Sequence, residues 1–181
     1  MNYPDPASLS PELEAILVGK RGANVYKMLM HTPNLAPSFT GMADAVMWSK
    51  AWPAVWRELA IVRVGHRYGA PYEIHHHERI GRMVGATDYQ LSACALGADQ
   101  GGLTPEEREI LRLTDAIVER HTLSDTEREA ALAFLSANQL ADFVLTVGFY
   151  QMVCNFLNVF GVEIEPNGLS GATARESGAV A

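Results

Sequence analysis

Two carboxylates and a histidine between residues 53 and 85 have the spacing of a proton-transfer site. Residues 70–86 read APYEIHHHERIGRMVGA, three consecutive histidines behind a glutamate. Wound as a helix at about 100° per residue, 71–85 gathers Glu73, His77, Ile80 and Val84 on one face, with His76 and Met83 at its edge. His75, Glu78, Arg79 and Arg82 point the other way, and Glu78 with Arg82 is an i,i+4 pair suited to solvent. The segment before it, PAVWRELAIVRVGHRYG over 53–69, clusters Ile61, Val62, Gly65, Tyr68 and Gly69 on one side. Trp56, Arg63 and Arg67 lie opposite. Glu58 falls within the apolar side, where a carboxylate must find a partner, be protonated or line a cavity. The short turn Gly69-Ala70-Pro71 predicts an antiparallel hairpin whose inner faces bring Glu58 toward His77. A neighbouring carboxylate raises an imidazole pKa and burial lowers it, a balance that can be tuned for proton transfer near neutral pH.

Each of these residues also has a plainer reading. Glu73, third in its helix if Pro71 is first, is favoured there by the macrodipole alone. Glu58 could be a structural ion-pair partner and His77 a satisfied core histidine. The same face could hold a divalent metal, since histidine and carboxylate ligands suit zinc, iron or manganese. Adjacent histidines diverge by about 100° around a helix, so His76 and His77 are poorly placed to share one ion. Tyr68, His76 and Tyr150 are the further candidates for contacting a substrate; His75 is expected in solvent.

The elements that must position these groups are helical. SPELEAIL offers Ser10 as a cap and Pro11 at the first helical position. TPEEREILRLTDAIVERH pairs Thr104 with Glu107 as a capping box, and Ser124 repeats the device with Glu127. Residues 138–161 form a long apolar helix. Runs of alternating β-branched residues are absent, so the fold class is all-α. A single domain is expected over 1–166, with 167–181 a mobile tail of small polar residues.

Composition narrows the partners. The chain has 181 residues, 48% of them apolar, which suits one domain with its own core. Its net charge is -7 and no basic stretch stands out, which argues against nucleic acid. Residues 1–15 show neither the charged nor the apolar region of a signal peptide, and a cytoplasmic location is expected. The stretch 140–162 contains Asp142, Gln151, Asn155 and Asn158, so a core or subunit-interface helix is expected in place of a membrane span. Its apolar surface points to a homo-oligomer. Cys94 and Cys154, with no CxxC pattern, read as reduced, buried thiols.

The stretch RELAIVRVGHRYGAPYEIHHHERIGRMVGAT resembles the signature of the carboxymuconolactone decarboxylase family, which includes alkylhydroperoxidase D. The resemblance continues through EREILRLTDAIVERHTLSD and LTVGFYQMVCNFLNVFGVE, over residues 35 to 165 or so. It implies an alkylhydroperoxidase D-like helical bundle assembled as trimers or hexamers. The family's peroxidase branch places a glutamate, then a cysteine 12 residues on, a second three further, and a histidine four beyond that. Those positions here are Glu58, Ala70, Glu73 and His77. Both sulfurs are missing, so a peroxidatic and resolving pair cannot form. The resemblance therefore implies the thiol-free branch, similar to the lactone decarboxylases, with Glu58, Glu73 and His77 doing acid–base work on a small organic acid or lactone. On that reading His77 gives or takes the proton, Glu58 orients it, and Glu73 is a second acid or base or a substrate contact. No cofactor is expected. A metal-assisted hydrolase or lyase, or a non-catalytic oligomer that binds a small ligand, are the alternatives.

Overall fold

The computed structural model describes residues 1–166. Among them every regular element is helical: a short 3-10 turn at Pro6–Ser8, then α1 (Pro11–Gly19), α2 (Asn24–Leu29), α3 (Ala36–Met47), α4 (Ala54–Tyr68), α5 (Pro71–Met83), α6 (Asp88–Leu96), α7 (Pro105–Arg120), α8 (Asp125–Leu132) and α9 (Ala137–Phe160). The tail at 167–181 lies outside the described residues. The caps read from the sequence are in place. Ser10 accepts from the Leu13 amide, and Thr104/Glu107 and Ser124/Glu127 form reciprocal capping boxes. A third box, Thr87 with Gln90, opens α6.

The chain forms two compact units. Among the described residues, the first comprises Met1–Asp44 together with 160–166. Within it, the Asn24 side chain donates to the Glu163 carbonyl at 2.9 Å, and the Asn24 amide donates to Glu165 Oε1 at 2.6 Å.

The second unit, Ala45–Val159, is organised around α4. Every residue from Arg57 to Gly65 is buried, so this helix has no solvent face along that length. It packs against α5, α6 and α7. Leu59 and Val62 join Leu91, Cys94, Leu103 and Leu111 in one apolar cluster. This central position overturns one expectation. Arg63, expected on a polar face opposite the apolar stripe, is itself buried. Its Nε and Nη2 donate to the two Asp115 carboxylate oxygens at 2.8 Å each, and Nη1 donates to the Cys94 carbonyl at 2.8 Å. A polar face turned against α7 instead of water needs such a fork, because an unpaired buried guanidinium is costly.

The hairpin of α4 and α5 has its predicted turn. Gly69 takes the left-handed conformation at φ 56°, and the Ala70 amide donates back to the Gly65 carbonyl at 2.9 Å. Pro71 then starts α5. Two glycines bring the helices close. A Cβ on Gly65 would lie 3.0 Å from Ile74 Cγ1 and 3.7 Å from Glu73 Cβ; one on Gly81 would lie 3.0 Å from Leu91 Cδ2 and 3.6 Å from Glu58 Cβ. The register therefore sets Gly65 opposite Glu73 and Glu58 opposite Gly81.

Helix α9 is long and apolar enough, by length and composition, to cross a membrane, and 44% of its most apolar window is buried within the structure. Phe143, Val147, Tyr150, Val153, Cys154 and Leu157 point inward.

Replacing Asp115 with alanine leaves the Arg63 guanidinium only its carbonyl partners. The expected loss is about 2–3 kcal/mol, below the usual cost of breaking a buried pair because Asp115 is partly exposed. Chemical denaturation of the two proteins measures it; a loss under about 0.5 kcal/mol, the scale of an exposed pair, would show that the fork contributes little.

Candidate functional site

The hairpin brings Glu58, Glu73 and His77 into one continuous contact. Glu58 is fully buried, Glu73 keeps 3% of its surface and His77 7%. His77 Nδ1 lies 2.7 Å from Glu58 Oε2, a buried hydrogen bond between α5 and α4. His77 Nε2 lies 3.0 Å from Glu73 Oε1, one helical turn back. That second contact has ion-pair distance without hydrogen-bond alignment, since Glu73 Oε1 has no partner that satisfies hydrogen-bond geometry. The imidazole is thus held firmly at one nitrogen and loosely at the other.

A fourth member, Arg57, was not singled out from the sequence. Its Nε donates to Glu58 Oε1 at 3.0 Å, so the carboxylate is shared between a guanidinium and an imidazole, one oxygen each. The signal for it was indirect: two carboxylates on buried faces require positive charge nearby. Arg57 and Glu58 are adjacent, and a helical wheel that sorts residues into an apolar and a polar side gives no role to a cation at the boundary.

The electrostatics follow from the geometry. Burial alone would lower the His77 pKa, but Glu73 and Glu58 together outweigh it and push it up to about 10. The sequence suggested a value poised near neutrality. Two carboxylates touching one ring move it well past that, because each imidazole nitrogen faces its own anion. At neutral pH the group is an imidazolium. Two cations, Arg57 and His77, then match two anions, Glu58 and Glu73.

The other sequence candidates are placed as follows. Tyr150, on α9, packs edge-on to the His77 ring with centroids 4.9 Å apart, and its hydroxyl contacts Met47 Sδ at 3.1 Å. It closes one side of the site. His76 is buried at 9% exposure and tilts against Tyr72 with centroids 4.3 Å apart, while His75 is exposed. Tyr68 does not join the cluster. Its hydroxyl accepts from Gln151 and its carbonyl from Asn158, fastening the end of α4 to α9. Ile80 and Val84, expected on the same face as Glu73 and His77, are only half-buried. Cys154 sits within the field of Glu73, and burial together with that carboxylate pushes its thiol well above the usual range. Burial likewise pushes Cys94 up to about 12. Neither sulfur is a thiolate at neutral pH. Among the described residues no three His, Cys, Asp or Glu side chains are arranged to hold a metal ion; both His77 nitrogens already face carboxylates.

The raised His77 value makes stability depend on pH. In the unfolded chain this histidine titrates near its ordinary 6.5. The stabilisation from its folded-state charge is therefore complete below that value and is lost as pH rises through about 10. Urea denaturation of the protein and of His77→Gln at several pH values between 6 and 10 tests this. The stability gap between the two proteins should narrow steadily toward pH 10; a gap independent of pH would mean that the ring is neutral in the fold.

The model of the carboxymuconolactone decarboxylase family matches residues 33–116, which contain the whole α4–α5 hairpin. Comparison with curated proteins finds no match. Among solved structures, an uncharacterized peroxidase-related protein from Ralstonia eutropha with an alkylhydroperoxidase AhpD core is 17% identical, covers 92% of each chain and has a TM-score of 0.83. A protein of unknown function from Agrobacterium tumefaciens is 17% identical with a TM-score of 0.68, over 74% of this chain and 92% of its own. The debrominase Bmp8, in complex with 2,3,4-tribromopyrrole, is 17% identical with a TM-score of 0.76, over 92% of this chain and 94% of its own. At that identity these structures share the all-helical AhpD-like fold. Residues 33–116 match the carboxymuconolactone decarboxylase family, in a form that lacks the CxxC pair.

Proposed function

We propose that the protein is an acid–base enzyme that delivers a proton to a small organic acid, lactone or related carbonyl compound, with decarboxylation the reaction its family suggests. The observation that carries this reading is the buried imidazolium of His77, bound at Nδ1 by Glu58 and facing Glu73 loosely at Nε2. Loss of CO2 leaves a carbanion or dienolate, and the product forms when a positioned acid protonates carbon. His77 Nε2–H is that acid. The proton passes to the substrate carbon, His77 becomes neutral, and the cluster regains its proton from solvent before the next turnover. Glu58 fixes the ring through Nδ1. Glu73, which faces that nitrogen, gives way to the substrate or accepts a proton from it. Tyr150 covers the ring and limits water. Thiol peroxidase chemistry is not part of this proposal, because Ala70 and Glu73 stand where that branch places sulfur and the two thiols present are protonated.

We further propose that the protein works as a homo-oligomer through the outer strip of α9. Leu145, Met152 and Val159 are exposed there at 58%, 50% and 81%. Ala141 and Gly148, also exposed, continue the strip at helical spacing, and no charged side chain interrupts it. Its one charged residue, Asp142, is half-buried against Ser49. A charge-free strip that is apolar apart from Asn155, with small residues at Ala141 and Gly148, suits close helix–helix contact.

Activity against a panel of lactones and β-keto acids in D2O tests the first proposal. Turnover should place deuterium on the product carbon, and Glu58→Gln and His77→Ala should each lower kcat by about a hundredfold or more. Full turnover in both variants would end the proton-donor reading. For the second, light scattering after size exclusion should give a multiple of 19.8 kDa, and Met152→Glu should lower it; a monomeric parent protein would refute the interface.

A further inference from the structure

We infer that Arg57, latched through residues 49–51 to helix α9, is a positioning residue that both aims Glu58 at His77 and balances the charge of the buried cluster. This rests on the reading of His77 as the proton donor and adds the device that sets its acidity.

The latch can be followed atom by atom. Asp142 Oδ2 on α9 accepts from Ser49 Oγ at 2.6 Å, and the Ala51 amide donates to that same hydroxyl at 3.2 Å. Gln139, one turn earlier on α9, donates to the Ala51 carbonyl at 2.8 Å. Arg57 Nη1 donates to the Ser49 carbonyl at 3.3 Å, while its Nε holds Glu58 Oε1. Arg57 is 5% exposed, and its guanidinium is planar and rigid. Its planar fork therefore turns the Glu58 carboxylate so that Oε2 faces the imidazole.

The groups facing His77 define the charge problem. From α5 there is Glu73; from α4, Glu58 with Arg57 behind it; from α9, the Tyr150 ring, with the neutral Cys154 thiol near Glu73. With Arg57 present and His77 protonated the four ionic groups sum to zero. Without Arg57 the sum is one negative charge in a buried site. The cluster would then hold its proton more tightly, and His77 would become a weaker acid. Arg57 thus keeps the donor from being trapped between its two carboxylates.

Histidine-selective 15N NMR on the full chain tests this without requiring turnover. In Arg57→Gln the His77 titration should move upward by about one unit or more, and the downfield Nδ1–H signal of the bond to Glu58 should weaken through faster exchange. Arg57→Lys keeps the charge and loses the fork, so the titration should return to within about 0.3 units of the parent while the Nδ1–H signal stays weak. Asp142→Asn loosens the far end of the latch and should weaken that signal with the guanidinium in place, which keeps the test open if Arg57→Gln does not fold. A His77 titration unmoved or lowered in Arg57→Gln, or an Nδ1–H signal unchanged in Asp142→Asn, would overturn the inference. The two readings fail separately. If the titration moves as stated while His77→Ala keeps full turnover, the proton-donor reading falls and the role of Arg57 stands. If His77→Ala loses turnover while Arg57→Gln leaves the titration in place, the reverse holds.

Discussion

The second unit depends on satisfying one carboxylate. Glu58 sits at zero exposure in the middle of a helix with no solvent face, and such a group is tolerated only when its oxygens are all engaged. One oxygen takes the Arg57 guanidinium and the other takes the His77 imidazole. That division fixes the position of α5 relative to α4, and it makes His77 cationic. The glycines at 65 and 81 serve the same end from the packing side, since they let the two backbones approach until the side chains touch. Structure and electrostatics here are one constraint: the hairpin closes because the charges pair, and the charges pair because the hairpin closes.

The same logic recurs on the other side of α4. Arg63 faces α7 with Asp115 clasped in its fork, so two buried arginines on one helix each hold a carboxylate. They differ in what the carboxylate does next. Asp115 keeps part of its surface in water and ends the chain of contacts. Glu58 has no exposed surface and passes the interaction on to a titratable ring.

Much of this was legible in the sequence. The caps at Ser10, Thr104 and Ser124 are local chemistry and read directly, as does the turn at Gly69-Ala70-Pro71. The inward direction of His77 and the outward direction of His75 followed from helical phase, which 3.6 residues per turn determines without tertiary knowledge. What was not legible came from α4 being central. A helix buried all round has no polar side, so the rule that arginines mark solvent misplaced Arg63 and passed over Arg57. The pKa of His77 was out of reach for a related reason. It depends on how many anions touch the ring, and phase alone could not say that Glu73 and Glu58 would take one nitrogen each.

The identity of residue 73 carries a consequence for the charge of the ring. Arg57 and Glu58 already form an ion pair, so the carboxylate of Glu73 is the second anion that the ring meets. One side chain on the first turn of a helix thus decides whether the imidazole meets one anion or two, and with that how firmly it keeps its charge.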